Sequence, residues 1–130
     1  MNDAPILHGP DRPELLKHEI LADIFEATAA RLPGKTALIS GERHVTYAEL
    51  DAAADRVAHR LIEAGVQAGD MVGLWHPRGI ELLACQLGIA KTGAAWLPFD
   101  AEVPTERIAV CLDDAAAKAL LIDEHHGEPA

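Results

Sequence analysis

Three helical patterns alternate with three short apolar runs over residues 47–122. In chain order the segments are 47–64, 70–75, 80–91, 94–97, 104–116 and 119–122, beginning with a helical pattern. This alternation is typical of an α/β layer, because a crossover helix returns the chain and lets successive strands run parallel. The second helical pattern is apolar nearly all round, so we expect it to be buried on more than one side. We therefore predict an α/β fold with helices packed on a mainly parallel sheet.

A hairpin and a further helix are expected before this alternation. Two strand-like runs, residues 36–40 and 43–46, flank a Gly-Glu turn, which favours an antiparallel hairpin. A helix is expected over residues 20–32, and the Pro-Gly pair that follows at 33–34 is expected to end it. Five of its residues fall on one face: Leu21, Ile24, Phe25, Thr28 and Leu32. In the later runs, Pro98 is expected to end or turn its strand.

The chain divides into three parts by composition. Prolines and a glycine interrupt any periodic pattern in residues 1–18, which are expected to form an arm. Residues 19–123 carry the patterned part, and residues 124–130 are a polar tail. The last predicted strand has no crossover helix after it, and a parallel sheet needs helices on both faces. We therefore expect these 130 residues to be part of something larger.

Charge and composition limit the kinds of partner. The sequence has 21 Asp and Glu against 11 Lys and Arg, a formal charge of −10. This balance argues against nucleic acid and against an anionic membrane surface, because both favour basic faces. No run of 18 apolar residues and no secretory signal pattern occurs, so a cytoplasmic location is expected. Cys85 and Cys111 are expected to be free thiols.

The clearest helix begins at a capping box, Thr46-Tyr47-Ala48-Glu49. The Thr46 hydroxyl is expected to accept a hydrogen bond from the Glu49 amide, and the Glu49 carboxylate one from the Thr46 amide. Gly65 is expected to end this helix in a left-handed conformation. Four charged residues are expected to face outward from it: Asp51, Arg56, Arg60 and Glu63.

Few residues in this sequence suggest catalysis. No glycine-rich phosphate loop, no G-x-S-x-G and no metal-ligand spacing occurs, and Ser40 is the only serine. The terminal run from Asp123 to His126 is interpreted as a solvated tail rather than a chelator. The histidines are scattered: His8, His18, His44, His59, His76, His125 and His126. We therefore expect no metal site.

Four polar residues lie near the ends of predicted elements. His76 follows a buried strand, where α/β sheets place ligand contacts, and Arg78 lies in the same loop. Asp100 follows the next strand, where a turn-capping role is favoured. Lys91 lies in the last turn of its helix, where a cation complements the helix dipole. A structural or surface role is favoured for each of them.

Two segments carry a family resemblance. Residues 45–50 (VTYAEL) resemble the first core motif of amino-acid adenylation domains, and residues 90–100 (AKTGAAWLPFD) resemble the second. Their order and spacing fit that family, and the resemblance extends over residues 20–123. The chain is thus identified as similar to the N-terminal part of the large subdomain of an adenylation domain of a nonribosomal peptide synthetase, in the adenylate-forming superfamily.

The resemblance implies an activity for the family. Its members use ATP and Mg²⁺ to convert an amino acid to an aminoacyl-adenylate, and then load it on a phosphopantetheine thiol of a carrier domain. The family's phosphate loop and catalytic lysine follow the second motif, so no catalytic, cofactor-binding or metal residue is carried over to this segment. The matching motif residues, to which we assign structural roles, are Thr46, Tyr47, Glu49, Leu50, Lys91, Gly93, Trp96, Pro98 and Asp100.

The resemblance leaves alternatives for the whole protein. Trp96 stands where tyrosine is usual, and the Trp-Leu-Pro-Phe-Asp version of the second motif is similar to that of synthetases that make amino-acid homopolymers. An acyl- or aryl-CoA ligase of the same superfamily is one alternative. The other is an interaction module that kept this part of the fold without the chemistry. This segment alone is expected to be inactive, and the remainder of an adenylation domain is its expected partner.

Overall fold

A computed structural model describes residues 5–15 and 19–123. A short 3₁₀ turn, Pro13–Leu15, precedes four helices and five strands in the described residues. In chain order these are α1 (Leu21–Arg31), β1 (Thr36–Ser40), β2 (Arg43–Thr46), α2 (Tyr47–Glu63), β3 (Met71–Trp75), α3 (Ile80–Lys91), β4 (Ala95–Phe99), α4 (Thr105–Asp114) and β5 (Ala119–Ile122). The alternation predicted from the sequence is confirmed.

The strands form two separate sheets. β1 and β2 pair antiparallel, and both ends of this hairpin lie where the sequence placed them. β3 pairs in parallel with β4 on one side and β5 on the other, with Val72 opposite both Trp96 and Ala119. β3 is the central strand, and its three middle residues are buried, as expected for a continuous apolar run in a parallel sheet. The expected α/β class, with a parallel sheet and an initial hairpin, is confirmed.

The helices α2 and α3 cover one face of the three-stranded sheet. They approach closely because small residues meet between them: a Cβ added to Gly88 would lie 2.5 Å from Val57 Cβ and 2.9 Å from the carbonyl oxygen of Ala54. Beneath them is the main apolar core of Leu61, Val66, Val72, Leu74, Ile89 and Ala94. α3 thus contacts a neighbouring helix and the sheet, which confirms its burial on more than one side.

The helix α4 packs over the opposite face of the sheet. Side chains alternate along β3, so Gly73 points away from the core that contains Val72 and Leu74. A Cβ on Gly73 would lie 2.5 Å from Leu112 Cδ2, so the leucine of α4 occupies the space above this glycine. Ile108 of the same helix is buried. The sheet therefore lies between two layers of helix.

One expectation about the fold is corrected. Pro98 does not end its strand: β4 runs through it to Phe99, and Pro98 lies opposite Leu74. Proline is tolerated there because β4 is an edge strand of this sheet and needs no donor on its outer side.

The apolar face of α1 is only partly buried, since Leu21 and Ile24 remain 52% and 47% exposed. The buried residues of α1 are two alanines.

The ends of the chain complete this description. Residues 5–15, the described part of the expected arm, are exposed throughout. The rest of the arm, the polar tail 124–130 and the histidines within them (His18, His125 and His126) lie outside the described residues. Within 5–15 and 19–123, none of the helices is long and apolar enough to cross a membrane.

Candidate functional site

A cleft opens at the carboxyl edge of the parallel sheet. Its walls hold His76 and Arg78 after β3 and Asp100 after β4, so the structure brings these three sequence candidates together. Arg107 of α4 also lines it; the sequence analysis gave this residue no role. The cleft has a volume of about 690 Å³, and its other walls include Leu82, Gln86, Val103 and Cys111. This edge is where open α/β sheets bind ligands.

Two hydrogen bonds within the chain, one of His76 and one of the turn after β4, lie around this cleft. His76 Nδ1 lies 2.9 Å from the carbonyl oxygen of Pro77, and because a carbonyl only accepts, this nitrogen carries the proton. The turn after β4 is closed by the main-chain carbonyl of Asp100, which accepts from the Val103 amide at 3.2 Å. In the residues that the structure describes, no group of three or more His, Cys, Asp or Glu could hold a metal ion.

The first motif forms the start of α2. The predicted capping box is present: the Thr46 hydroxyl accepts from the Glu49 amide at 3.2 Å, and Glu49 Oε1 accepts from the Thr46 amide at 3.1 Å. The hydrogen bond from the Thr46 amide is the main cause that holds the pKa of Glu49 below its usual value. A hydrogen bond with the Thr46 side chain lowers this pKa further. Leu50 is buried, and the Tyr47 ring lies against Phe25 of α1 with centroids 6.0 Å apart. The motif therefore anchors a helix.

The second motif contributes Lys91 to an ionic cluster that was not predicted from the sequence. Lys91 Nζ lies 2.7 Å from Asp51 Oδ1, 2.8 Å from Glu26 Oε1 and 2.9 Å from Asp55 Oδ1, and the lysine side chain is 7% exposed. We call these four residues the Lys91 cluster. The interpretation of Lys91 as a helix-dipole charge was incomplete, and the expectation that Asp51 faces outward was wrong. Spacing along the chain carried no signal for partners on α1 and α2.

Two opposing effects act on the Lys91 ammonium. Burial would lower its pKa, but the hydrogen bonds that the ammonium donates to Asp51, Glu26 and Asp55 outweigh burial and raise the pKa above that of a free lysine. The ammonium therefore stays charged at neutral pH. Its three partners lie on two helices and Lys91 on a third, so one charge joins α1, α2 and α3.

The remaining motif residues shape the connection from α3 to β4. Gly93 follows the end of α3 with φ +83°, a left-handed conformation that glycine adopts without strain. Gly65 ends α2 in the same way, as predicted. Trp96 lines an apolar groove of about 320 Å³ together with Tyr47 of the first motif. The two motifs thus meet in space at this groove. In addition, Lys91 of the second motif binds Asp51, the residue that directly follows the first motif.

Comparison with known proteins decides the family. A family model described as "AMP-binding enzyme" matches residues 25–130. The chain belongs to the AMP-binding enzyme family. The chain is 51% identical over 120 residues to the delta-poly-L-ornithine synthetase of Acinetobacter baumannii (strain AB307-0294). The alignment covers 92% of this chain and 9% of that protein.

Solved structures of adenylation enzymes share the fold of this chain. The N-terminal subdomain of Klebsiella oxytoca NpsA, in complex with 3-hydroxyanthranilyl-AMSN, matches with a TM-score of 0.73 and 32% identity over 80% of this chain and 27% of that one. NpsA-ThdA, an artificially fused adenylation–PCP di-domain from the same organism, matches with a TM-score of 0.74 and 31% identity over 84% of this chain and 21% of that one. The resemblance inferred from the two motifs is thereby confirmed.

Proposed function

We propose that this chain acts as the N-terminal part of the large subdomain of an amino-acid adenylation domain in a nonribosomal peptide synthetase. The whole domain would activate an amino acid with ATP and Mg²⁺ and load it on the thiol of a carrier domain. The observation that carries the proposal is the meeting of both adenylation motifs at the Trp96 groove, within a fold shared with NpsA. The carrier partner is supported by the adenylation–PCP fusion.

The role of this segment within such a domain is a scaffold. The motif residues cap α2, join three helices through Lys91 and direct the chain from α3 into β4. The sequence contains no glycine-rich phosphate loop, so we assign none of its residues to catalysis. Two free thiols agree with a reducing, cytoplasmic location.

The amino acid activated is proposed more narrowly from one relative. The chain is 51% identical to a protein named as a synthetase of delta-poly-L-ornithine, an amino-acid homopolymer. The Trp-Leu-Pro-Phe-Asp form of the second motif, noted above as similar to that of homopolymer synthetases, points the same way. We therefore place the parent protein among the homopolymer synthetases, with ornithine or a similar diamino acid as its substrate.

A chimera tests the scaffold proposal directly. The part of the Acinetobacter synthetase that aligns with residues 20–123 would be replaced by these residues, and ornithine-dependent ATP–pyrophosphate exchange would be measured. We expect exchange within about tenfold of the unmodified synthetase, which corresponds to about 1.4 kcal/mol of transition-state stabilisation. The 130-residue chain alone should show no exchange.

A variant of the chimera with disrupted packing serves as the negative control. Replacing Gly88 by leucine in the same chimera should abolish exchange, because the added side chain enters the contact between α2 and α3. A folded chimera without exchange would show that residues 20–123 do not serve as an adenylation scaffold. Exchange by the 130-residue chain alone would show that it carries catalytic groups.

A further inference from the structure

The helix α1 is held to the rest of the fold by a small area of contact. Its buried residues are Ala22 and Ala29, which bury little apolar surface, whereas Leu21 and Ile24 are about half exposed. Phe25 is partly buried: its ring contacts that of Tyr47, and it packs at the edge of a second apolar cluster, made of Val45, Leu50, Ile80 and Ala84. Because the free energy of burial scales with apolar area, α1 gains much less from packing than α2 or α3.

Empty space lies between α1 and the body of the fold. The groove of about 320 Å³ separates Leu21 and Phe25 of α1 from Leu83 and Leu87 of α3. A second space of about 270 Å³ lies beneath the first turn of α1, between Ala22 and Gly93. Residues lining such spaces lose the dispersion contacts that a close-packed interface would give them. The interface beneath α1 is therefore loosely packed.

One ion pair fastens the middle of α1. Glu26 Oε1 lies 2.8 Å from Lys91 Nζ, and the glutamate side chain is 50% exposed. Asp51 and Asp55 bind the same ammonium from α2, so Lys91 stays in place whether or not Glu26 is bound. The ion pair therefore acts on α1 as a separate, releasable contact.

The C-terminal end of α1 is fixed by main-chain hydrogen bonds. The Ala48 amide donates to the carbonyl oxygen of Pro33 at 3.1 Å, and the Tyr47 amide to that of Lys35 at 2.9 Å. Residues 33–35 are thus tied to the start of α2. At the other end, residues 5–15, Glu19 and Ile20 are exposed, so burial does not hold these described residues before α1. A helix fixed at one end and weakly held along its length has the form of a hinged strap.

We propose that α1 is such a strap: it is fastened by the Glu26–Lys91 ion pair and swings about residues 32–33, uncovering the groove lined by Tyr47 and Trp96 while α2, α3 and the parallel sheet stay folded. Opening breaks the ion pair, removes Phe25 from the Tyr47 ring and from the second apolar cluster, and exposes the two alanines. Local opening of this kind has a lower free energy than global unfolding. This inference does not depend on the proposed function.

Amide hydrogen exchange of the full chain tests this proposal, resolved over α1, α2 and α3. We expect the α1 amides to exchange through an opening of lower free energy than those of α2 and α3. Glu26→Gln should speed α1 exchange by about two- to fivefold, the effect of one partly exposed ion pair, and leave α2 unchanged. Asp55→Asn is the matched control. It removes a Lys91 partner on α2, so it should leave α1 exchange unchanged or slower.

Salt provides a measurement that needs no variant. Raising the ionic strength from about 0.05 M to about 1 M screens the half-exposed Glu26–Lys91 pair and should speed exchange in α1 more than in α2. The proposal is overturned if α1 and α2 exchange with the same opening free energy. It is also overturned if Glu26→Gln accelerates α2 and α3 as much as α1, or if α1 and α2 respond equally to salt.

Discussion

Lys91 Nζ lies 2.7 Å from Asp51 Oδ1, and this ion pair joins the last turn of α3 to the beginning of α2, 40 residues earlier in the chain. Asp55, one turn further along α2, approaches the same ammonium at 2.9 Å. Two carboxylates at positions i and i+4 repel each other on an isolated helix. The charge of Lys91 is therefore what makes this face of α2 favourable in the folded chain.

Replacing Lys91 by methionine should lower the free energy of unfolding by about 2 kcal/mol. The variant keeps most of the apolar stem but leaves three carboxylates facing one another without a cation. This value is below the 3–5 kcal/mol typical of a broken buried pair, because the carboxylates are partly exposed. Urea unfolding measures it. Lys118→Met, at an exposed lysine, is the control and should change stability by less than about 0.5 kcal/mol.

The pH dependence of this difference follows from the raised pKa of Lys91. A group whose pKa is raised on folding contributes fully below its unfolded value, about 10.4 for lysine, and loses the contribution as the pH rises through the folded value. The stability difference between the unmodified chain and Lys91→Met should be constant between about pH 7 and about pH 9 and shrink above about pH 10.4. If this stability difference already declined between about pH 7 and about pH 9, the raised pKa of Lys91 would be contradicted.

Thr46→Ala should lower the free energy of unfolding by about 1 kcal/mol, because the Glu49 amide loses its acceptor at the start of α2. The capping box also carries a pH dependence, since the pKa of Glu49 is lowered. Its contribution is present above the unfolded value, about 4.3, and is lost as the pH falls through the folded value. Urea unfolding at a series of acidic pH values measures both effects.

Glu49→Gln is the matched variant for this prediction. Glutamine keeps an oxygen that can accept from the Thr46 amide, so most of the cap should remain. The acidic pH dependence due to the cap should disappear, because glutamine does not titrate. An unchanged acid profile in Glu49→Gln would mean that other carboxylates account for it.

Local signals explain which parts of the fold could be predicted from sequence. The capping box at Thr46, the hairpin and the glycine at position 65 act over a few residues, so their patterns are visible in the chain itself. The partners of Lys91 lie up to 65 residues away and depend on how three helices pack. Pro98 was misjudged for a related reason: whether a strand tolerates proline depends on its being an edge strand.

The candidate cleft was predictable only in part. His76 and Asp100 follow neighbouring strands, and parallel strands end at one edge of the sheet, so their proximity follows from the predicted topology. Arg107 reaches the cleft from α4, and its place depends on how that helix crosses the opposite face of the sheet. Sequence alone carries no signal for that crossing.

Gly88→Ala should destabilise the chain by about 1–3 kcal/mol. The new methyl group would lie 2.5 Å from Val57 Cβ and 2.9 Å from the Ala54 carbonyl oxygen, so the two helices must move apart. Urea unfolding provides the measurement. Gly34→Ala is the control: a Cβ at Gly34 meets nothing within 4 Å, so its effect should stay below about 0.5 kcal/mol. Equal effects of the two substitutions would contradict close packing of α2 and α3.

The thiol of Cys85 should react slowly with iodoacetamide in the folded chain. Burial raises its pKa, the negative charge of Glu81 raises it further, and only the thiolate reacts. Mass spectrometry of the modified peptide, with and without urea, measures the rate at this position and should show a clear acceleration on unfolding. Because burial is the larger cause, Glu81→Gln should speed the reaction only slightly. If Glu81→Gln alone raised the rate to that of the unfolded chain, charge rather than burial would control this thiol.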